Sequence, residues 1–206
     1  MKNKKKNVNI KKLILMTLIT LGCFLSFQNL FLNNHIEEYN VDGLSIQHQF
    51  LTINPYSRSG QTLYRVNGIV IHYTANPGSS AQNNHDYFES LKYKHTASVS
   101  SHFIIGIHGE IIQCIPLNEI SYASNNRNKD TISIECCHLD ESGQLTEATY
   151  QSLVELVHSL KNTYHLKQND IIRHYDVTGK NCPKYFVEHE DAWQQFLKDV
   201  NMNEFS

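Results

Sequence analysis

A dominantly apolar run of 20 residues, Leu13 to Leu32, follows six lysines crowded into positions 2 to 12 and divides this chain before any fold is considered. That length matches one helical crossing of a bilayer's hydrocarbon layer. Residues 1–12 therefore read as a basic cytoplasmic region and 13–32 as a signal anchor or signal peptide, a targeting element rather than part of a packed core. Lysines stay on the cytoplasmic side, so everything after the run is expected outside the membrane, anchored by an N-terminal helix or secreted after cleavage. No small-x-small cleavage site follows the run. Leu21-Gly22-Cys23 hints at lipidation, although Thr20 precedes it and Phe24-Leu25 follows it. Residues 33–46, polar and mixed with Glu37, Glu38 and Asp42, read as a stalk, which leaves 47–206 as one catalytic-sized domain.

Charge then narrows the partners. Setting aside the six tail lysines leaves 12 basic residues against 20 acidic ones, a formal charge of −8 for the outer part. Such a surface repels phosphate backbones, so no nucleic-acid partner is expected, and membrane contact is expected only through the N-terminal segment. Five cysteines at irregular spacing (Cys23, Cys114, Cys136, Cys137, Cys182) in a domain this large do not look like a disulfide framework.

Strand and helix signals alternate along the remainder. Val66 to Tyr73 is a β-branched apolar run ending at the turn Asn76-Pro77-Gly78. Ser80 can cap a helix running to about Tyr93. His102–Ile107 and Glu110–Ile115 form a hairpin joined around His108-Gly109, and Thr131–Cys137 is a strand with Glu135 inside an otherwise uncharged run. Thr146 caps a helix whose apolar positions Tyr150, Leu153, Val154, Val157, Leu160 and Tyr164 follow the helical period. Ile171-Ile172 leads into a loop from Arg173 to Pro183, and a last helix presents Trp193, Phe196, Leu197 and Val200 on one face. The expected class is α/β, a central mixed β-sheet flanked by helices, preceded by the membrane-targeting helix.

Three features carry chemistry: His72 at a strand end, Glu135 within a strand, and the loop holding His174, Lys180 and Cys182. A catalytic zinc takes three protein ligands and keeps one position open for water, and two imidazoles with one thiolate suit it. His72, His174 and Cys182 supply such a set, but among 12 histidines the spacing alone does not single it out. Pro183 restricts the backbone of Cys182 and Gly179 permits a tight turn, so a ligand in that loop is held rigidly.

Four pieces occur together: Ile69-Val70-Ile71-His72-Tyr73-Thr74-Ala75-Asn76, Ser101-His102-Phe103-Ile104-Ile105, Ile132-Ser133-Ile134-Glu135, and His174-Tyr175-Asp176 through Lys180-Asn181-Cys182-Pro183. With them the stretch from about Leu51 to Val200 resembles the zinc-dependent N-acetylmuramoyl-L-alanine amidases, whose fold is shared by the peptidoglycan recognition proteins. The resemblance implies one catalytic Zn2+ bound by His72, His174 and Cys182, with Glu135 as catalytic carboxylate and Lys180 beside the metal. It further implies hydrolysis of the amide bond between N-acetylmuramic acid and L-alanine in peptidoglycan. Tyr73 and His102 are candidate substrate-contacting residues, and His102, which fits the hairpin motif, reads as structural or cleft-lining.

Two positions depart from the family pattern. Some relatives carry a catalytic tyrosine where this chain has Ser101, so the base assignment rests on Glu135. An aromatic-histidine pair is common where this chain has Tyr122-Ala123-Ser124, so the family's contact to the muramyl peptide does not carry over. Two other functions use the residues less completely. A non-catalytic peptidoglycan-binding module has no need of the thiolate, and a cysteine hydrolase pairing Cys182 with His174 leaves His72 and Glu135 without roles.

Overall fold

The computed structural model describes residues 37–41 and 44–202, and the residues from Glu37 onward pack as one compact unit. The targeting helix expected at 13–32 lies outside the described residues. Among the described residues, no helix is long and apolar enough to cross a membrane.

Among the described residues, seven strands form one mixed sheet: β1 (Glu37–Val41), β2 (Leu44–His48), β3 (Ile69–Tyr73), β4 (Phe103–Ile105), β5 (Ile111–Gln113), β6 (Ile132–Cys136) and β7 (Ile171–Arg173). Their spatial order is β1-β2-β5-β4-β6-β3-β7. β4, β6, β3 and β7 run parallel to their neighbours in that row, whereas β4 and β5 form the antiparallel hairpin expected from the sequence. Around the sheet lie α1 (Ala81–Lys94), α2 (Glu147–Thr163), the single turns α3 (His174–Thr178) and α4 (Lys184–Glu188), and α5 (Glu190–Met202).

The alternation of side chains along a strand builds two apolar layers. Ile69, Ile71, Ile132 and Ile134 face a core filled by Leu153, Val157 and Leu160 of α2 and by Trp193, Phe196 and Val200 of α5. Ile104 and Ile112 face the opposite side, where Ala81 and Phe88 of α1 cover them. Each fully buried aliphatic or aromatic side chain in these layers contributes roughly 1.5–3 kcal/mol. The caps predicted from sequence are present: Ser80 Oγ accepts from Asn83 N at 3.1 Å, and Thr146 Oγ1 accepts from Thr149 N at 3.1 Å. At the hairpin tip Gly109 has φ +85°, and a Cβ there would stand 2.8 Å from Ser152 Oγ and 3.0 Å from the Ala148 carbonyl.

Two expectations are corrected. The segment 33–46 is not a stalk from residue 37 on: β1 pairs with β2, β2 pairs in parallel with β5, and Leu44 and Ile46 are buried in the core. The globular domain therefore begins about ten residues before position 47. Its first strands carry a mixed polar sequence, and the pairing of β2 with residues 111–113 is long-range, which no local pattern reports. Likewise Ile171-Ile172 does not simply enter a loop. With Arg173 it forms the edge strand β7 beside β3, and residues 174–178 make a helical turn.

Candidate metal centre

The sheet itself delivers the site. On the parallel strands β6, β3 and β7 the pairs His72↔Glu135 and Ile71↔Arg173 are in register, so Glu135, His72 and His174 end up side by side. Neighbouring strands lie about 4.8 Å apart. Alternation turns His72 and Glu135 away from the Ile71–Ile134 layer, toward the carboxyl end of the strands where open α/β sheets place their ligands. The segment after α3 brings Cys182 back against β3: Tyr175 N donates to the Cys182 carbonyl at 2.8 Å.

His72, His174 and Cys182 each offer a ligand atom, and the three atoms lie within 4.8 Å of one another. Cys182 Sγ is 3.8 Å from His72 Nδ1, and the two imidazole centroids are 4.6 Å apart. Tetrahedral geometry with metal–nitrogen and metal–sulfur bonds of about 2.0 and 2.3 Å sets donors roughly 3.3–3.6 Å apart, close to this spacing. A further observation supports the fit. His174 Nδ1 and Glu135 Oε2 are buried polar atoms without a hydrogen-bond partner, and such atoms are costly unless something else satisfies them.

Electrostatics agree with a cation-binding role. Burial, and then neighbouring His174 and Lys180, hold His72 well below its ordinary value. Burial and then Lys180 lower His174 as well. Both imidazoles are thus neutral at pH 7, the form that ligates a metal. Burial pushes the Glu135 carboxyl up to about 8, against the opposing pull of Lys180. Burial and then Glu135 raise the Cys182 thiol to about 12, opposed by the Tyr73 N–H and Lys180. A thiol held there is no nucleophile at neutral pH, which disfavours a Cys182–His174 cysteine hydrolase, whereas beside a divalent cation a thiol ionises outright.

Residues that sequence reasoning passed over complete the centre. Arg173, on β7 next to His174, is buried between two carboxylates, Asp176 (Nη2–Oδ1 3.0 Å) and Glu190 (Nη1–Oε2 2.6 Å). It also donates to the Phe186 carbonyl at 3.0 Å and lies over the Trp193 ring, tying α3, α4 and α5 together behind the ligands. Its signal in the sequence was the Arg173-x-x-Asp176 spacing, which fits one helical turn. Ser124 and Asn125 touch the far nitrogens of His72 and His174, and nothing local in the sequence pointed to them.

The matching family model, described as N-acetylmuramoyl-L-alanine amidase, covers residues 62–185. The chain belongs to this amidase family. Similar curated proteins include the N-acetylmuramoyl-L-alanine amidase CwlL of Bacillus licheniformis, 37% identical over 166 residues, spanning 74% of this chain and 45% of the relative. Another is the amidase BlyA of Bacillus subtilis (strain 168), 31% identical over 73% of this chain and 45% of the relative. The chain thus spans about half the length of these curated relatives. The fold is also that of the solved structure of PlyL (TM-score 0.66, 23% identity, 76% of this chain and 97% of that one). The PlyG catalytic domain gives TM-score 0.67 at 24% identity, with 79% and 97% covered.

Against the amidase family pattern, two of the expected substrate contacts separate. Tyr73 is partly exposed at the end of β3, its ring 5.1 Å from that of His138, and stays at the site. His102 does not: it is wholly buried in the core, with both ring nitrogens engaged. Ser101 is buried too and donates to the Phe103 carbonyl at 2.8 Å, so it does not replace the tyrosine of some amidase relatives.

Proposed function

We propose that this protein is a zinc-dependent N-acetylmuramoyl-L-alanine amidase that cleaves the bond between N-acetylmuramic acid and L-alanine in peptidoglycan. The observation that carries the reading is the convergence of two imidazoles and one thiol, from two distant parts of the chain, beside a buried carboxyl oxygen without a partner. A zinc ion held by His72, His174 and Cys182 supplies an acidified water and a Lewis acid for the attacked carbonyl. Glu135 is the general base. Burial raises its affinity for protons and a cation bound beside it would lower that again, so that the carboxylate can accept a proton from the attacking water and return it to the departing amide nitrogen, releasing a lactyl carboxylate and a free alanine amine. Lys180, which acts electrostatically on His72, His174, Glu135 and Cys182 together, offsets the negative charge that develops on the lactyl carbonyl oxygen. Tyr73 lines the cleft on the β3 side. The lysine-flanked apolar segment holds the enzyme on the outer face of the membrane, where its substrate lies.

The test is to give the full-length protein purified peptidoglycan and analyse both ends of the products. New alanine amino termini without new reducing sugar ends, lost on chelation and restored by zinc, are expected. New reducing ends contradict the assignment, and binding to the wall without any cleavage identifies a recognition module instead.

A further inference from the structure

Ser124 and Asn125, consecutive residues of the loop between β5 and β6, each reach one ligand histidine on the side away from the metal position. Ser124 Oγ lies 3.1 Å from His72 Nε2, and Asn125 Oδ1 lies 3.1 Å from His174 Nε2. In each ring this leaves Nδ1 on the other side: that of His72 faces Cys182 Sγ at 3.8 Å, and that of His174 is buried without a partner. We infer that Ser124 and Asn125 form one clamp that fixes the orientation and tautomer of both imidazoles, accepting a hydrogen bond from each Nε2–H so that both Nδ1 lone pairs are left to a common ligand.

The loop is built to hold that position. Asn128 Oδ1 accepts from the backbone N–H groups of Ala123 at 3.1 Å and Ser124 at 2.5 Å. Arg127 Nε is bound to Asp130 Oδ1 at 2.8 Å, and Thr131 Oγ1, at the entry to β6, donates to the Arg127 carbonyl at 2.7 Å. Asn125 itself has φ +53°, a left-handed conformation that asparagine tolerates better than most residues and that aims its side chain at His174. Ser124 is almost fully buried, so water does not compete for its contact with His72. Because one short loop holds both rings, displacement of the loop misaligns the two imidazoles together. These are positioning residues and touch neither substrate nor metal.

The inference rests on the zinc reading above, and its test separates the two. Zinc affinity of the full-length protein is measured by competition with a chromophoric chelator for the native chain and for Ser124→Ala, Asn125→Gly and Asn125→Asp. Glycine suits φ +53° but removes the acceptor, whereas aspartate keeps it. Outer-shell partners of this kind typically contribute about 10- to 100-fold in metal affinity. Ser124→Ala and Asn125→Gly are each expected to weaken zinc by that factor with the metal-free melting temperature unchanged, and Asn125→Asp to restore most of it. The cobalt-substituted Asn125→Gly protein is expected to show a shifted visible spectrum. Native zinc affinity in both acceptor-free variants, or a loss that simply tracks a lower metal-free stability, overturns the clamp. Failure of the native chain itself to bind zinc overturns the metal reading and the clamp with it.

Discussion

Two buried histidine environments lie within this one sheet, and they are opposites. At His102 every polar atom is answered: Ser133 N donates to Nδ1 at 3.0 Å, Nε2–H donates to the Glu119 carbonyl at 3.0 Å, and Ser121 Oγ closes on Ser133 Oγ at 2.7 Å. At His72 and His174 the outer nitrogens are answered, but of the inner ones that of His72 meets only Cys182 Sγ, at 3.8 Å, and that of His174 is unpaired, as is Glu135 Oε2. Burial is the largest cause of the lowered histidine basicity in both places. What separates His174 from His102 is thus the hydrogen-bond accounting and not depth. The saturated pocket at His102 belongs to the fold, and the unpaired His174 Nδ1 and Glu135 Oε2 mark the candidate site.

The contrast breaks most decisively at the ligands. Chelation of the native protein, or Cys182→Ser, is expected to reduce muramyl-amide hydrolysis to background, with zinc restoring the native protein but not the variant. Activity that survives exhaustive chelation contradicts the metal reading. Next in size is Glu135→Gln, which keeps the side chain's shape and removes the base. It is expected to lower kcat by about 10²- to 10⁴-fold while zinc content stays stoichiometric. Lys180→Met follows, with a loss of about 10²-fold in kcat and little change in zinc affinity, as for removal of one donor to a developing oxyanion. An effect confined to KM would recast Lys180 as a substrate-binding group.

The smallest effect on catalysis belongs to the saturated pocket. His102→Gln is expected to cost about 1–3 kcal/mol of stability through unpaired partners, leaving zinc affinity and kcat per folded molecule unchanged. Its pH signature sharpens the comparison. Burial holds the folded His102 near 4, below its ordinary 6.5, with the Glu119 carbonyl opposing. Below about pH 6.5 the unfolded chain takes up a proton that the folded one refuses, so this residue's contribution is present above 6.5 and is lost as pH falls toward 4. The melting temperature of the native protein should therefore drop more steeply with acid than that of His102→Gln. Parallel curves contradict the assignment of His102 to a neutral, structural role.

The same distinction explains what was legible in the sequence. Strong local signals survived: the β-branched run at β3, the caps at Ser80 and Thr146, and the helical periods of α2 and α5 all appear where the residues predict them. Weak local signals did not. β2 and β7 owe their existence to neighbours far away in sequence, Ile111–Gln113 and Ile69–Ile71, so their few residues read as stalk and loop. His72, His174 and Cys182 come together in the fold, but family likeness and not spacing singled them out. His102 also sat in a matching motif and could be read as structural or cleft-lining; its place in the core rests on Ser133 and Glu119, partners visible only once the chain has folded. Ser124 and Asn125 escaped notice for the same reason: a hydroxyl and an amide in a polar loop carry no mark of what they will touch.

The most direct measurement is X-ray absorption at the zinc edge on the zinc-loaded, full-length protein. Two nitrogen scatterers at about 2.0–2.1 Å, one sulfur at about 2.3 Å and one further light atom are expected. A first shell without sulfur, or one in which Cys182→Ser leaves the spectrum unaltered, contradicts the claim that these three side chains share a single ion.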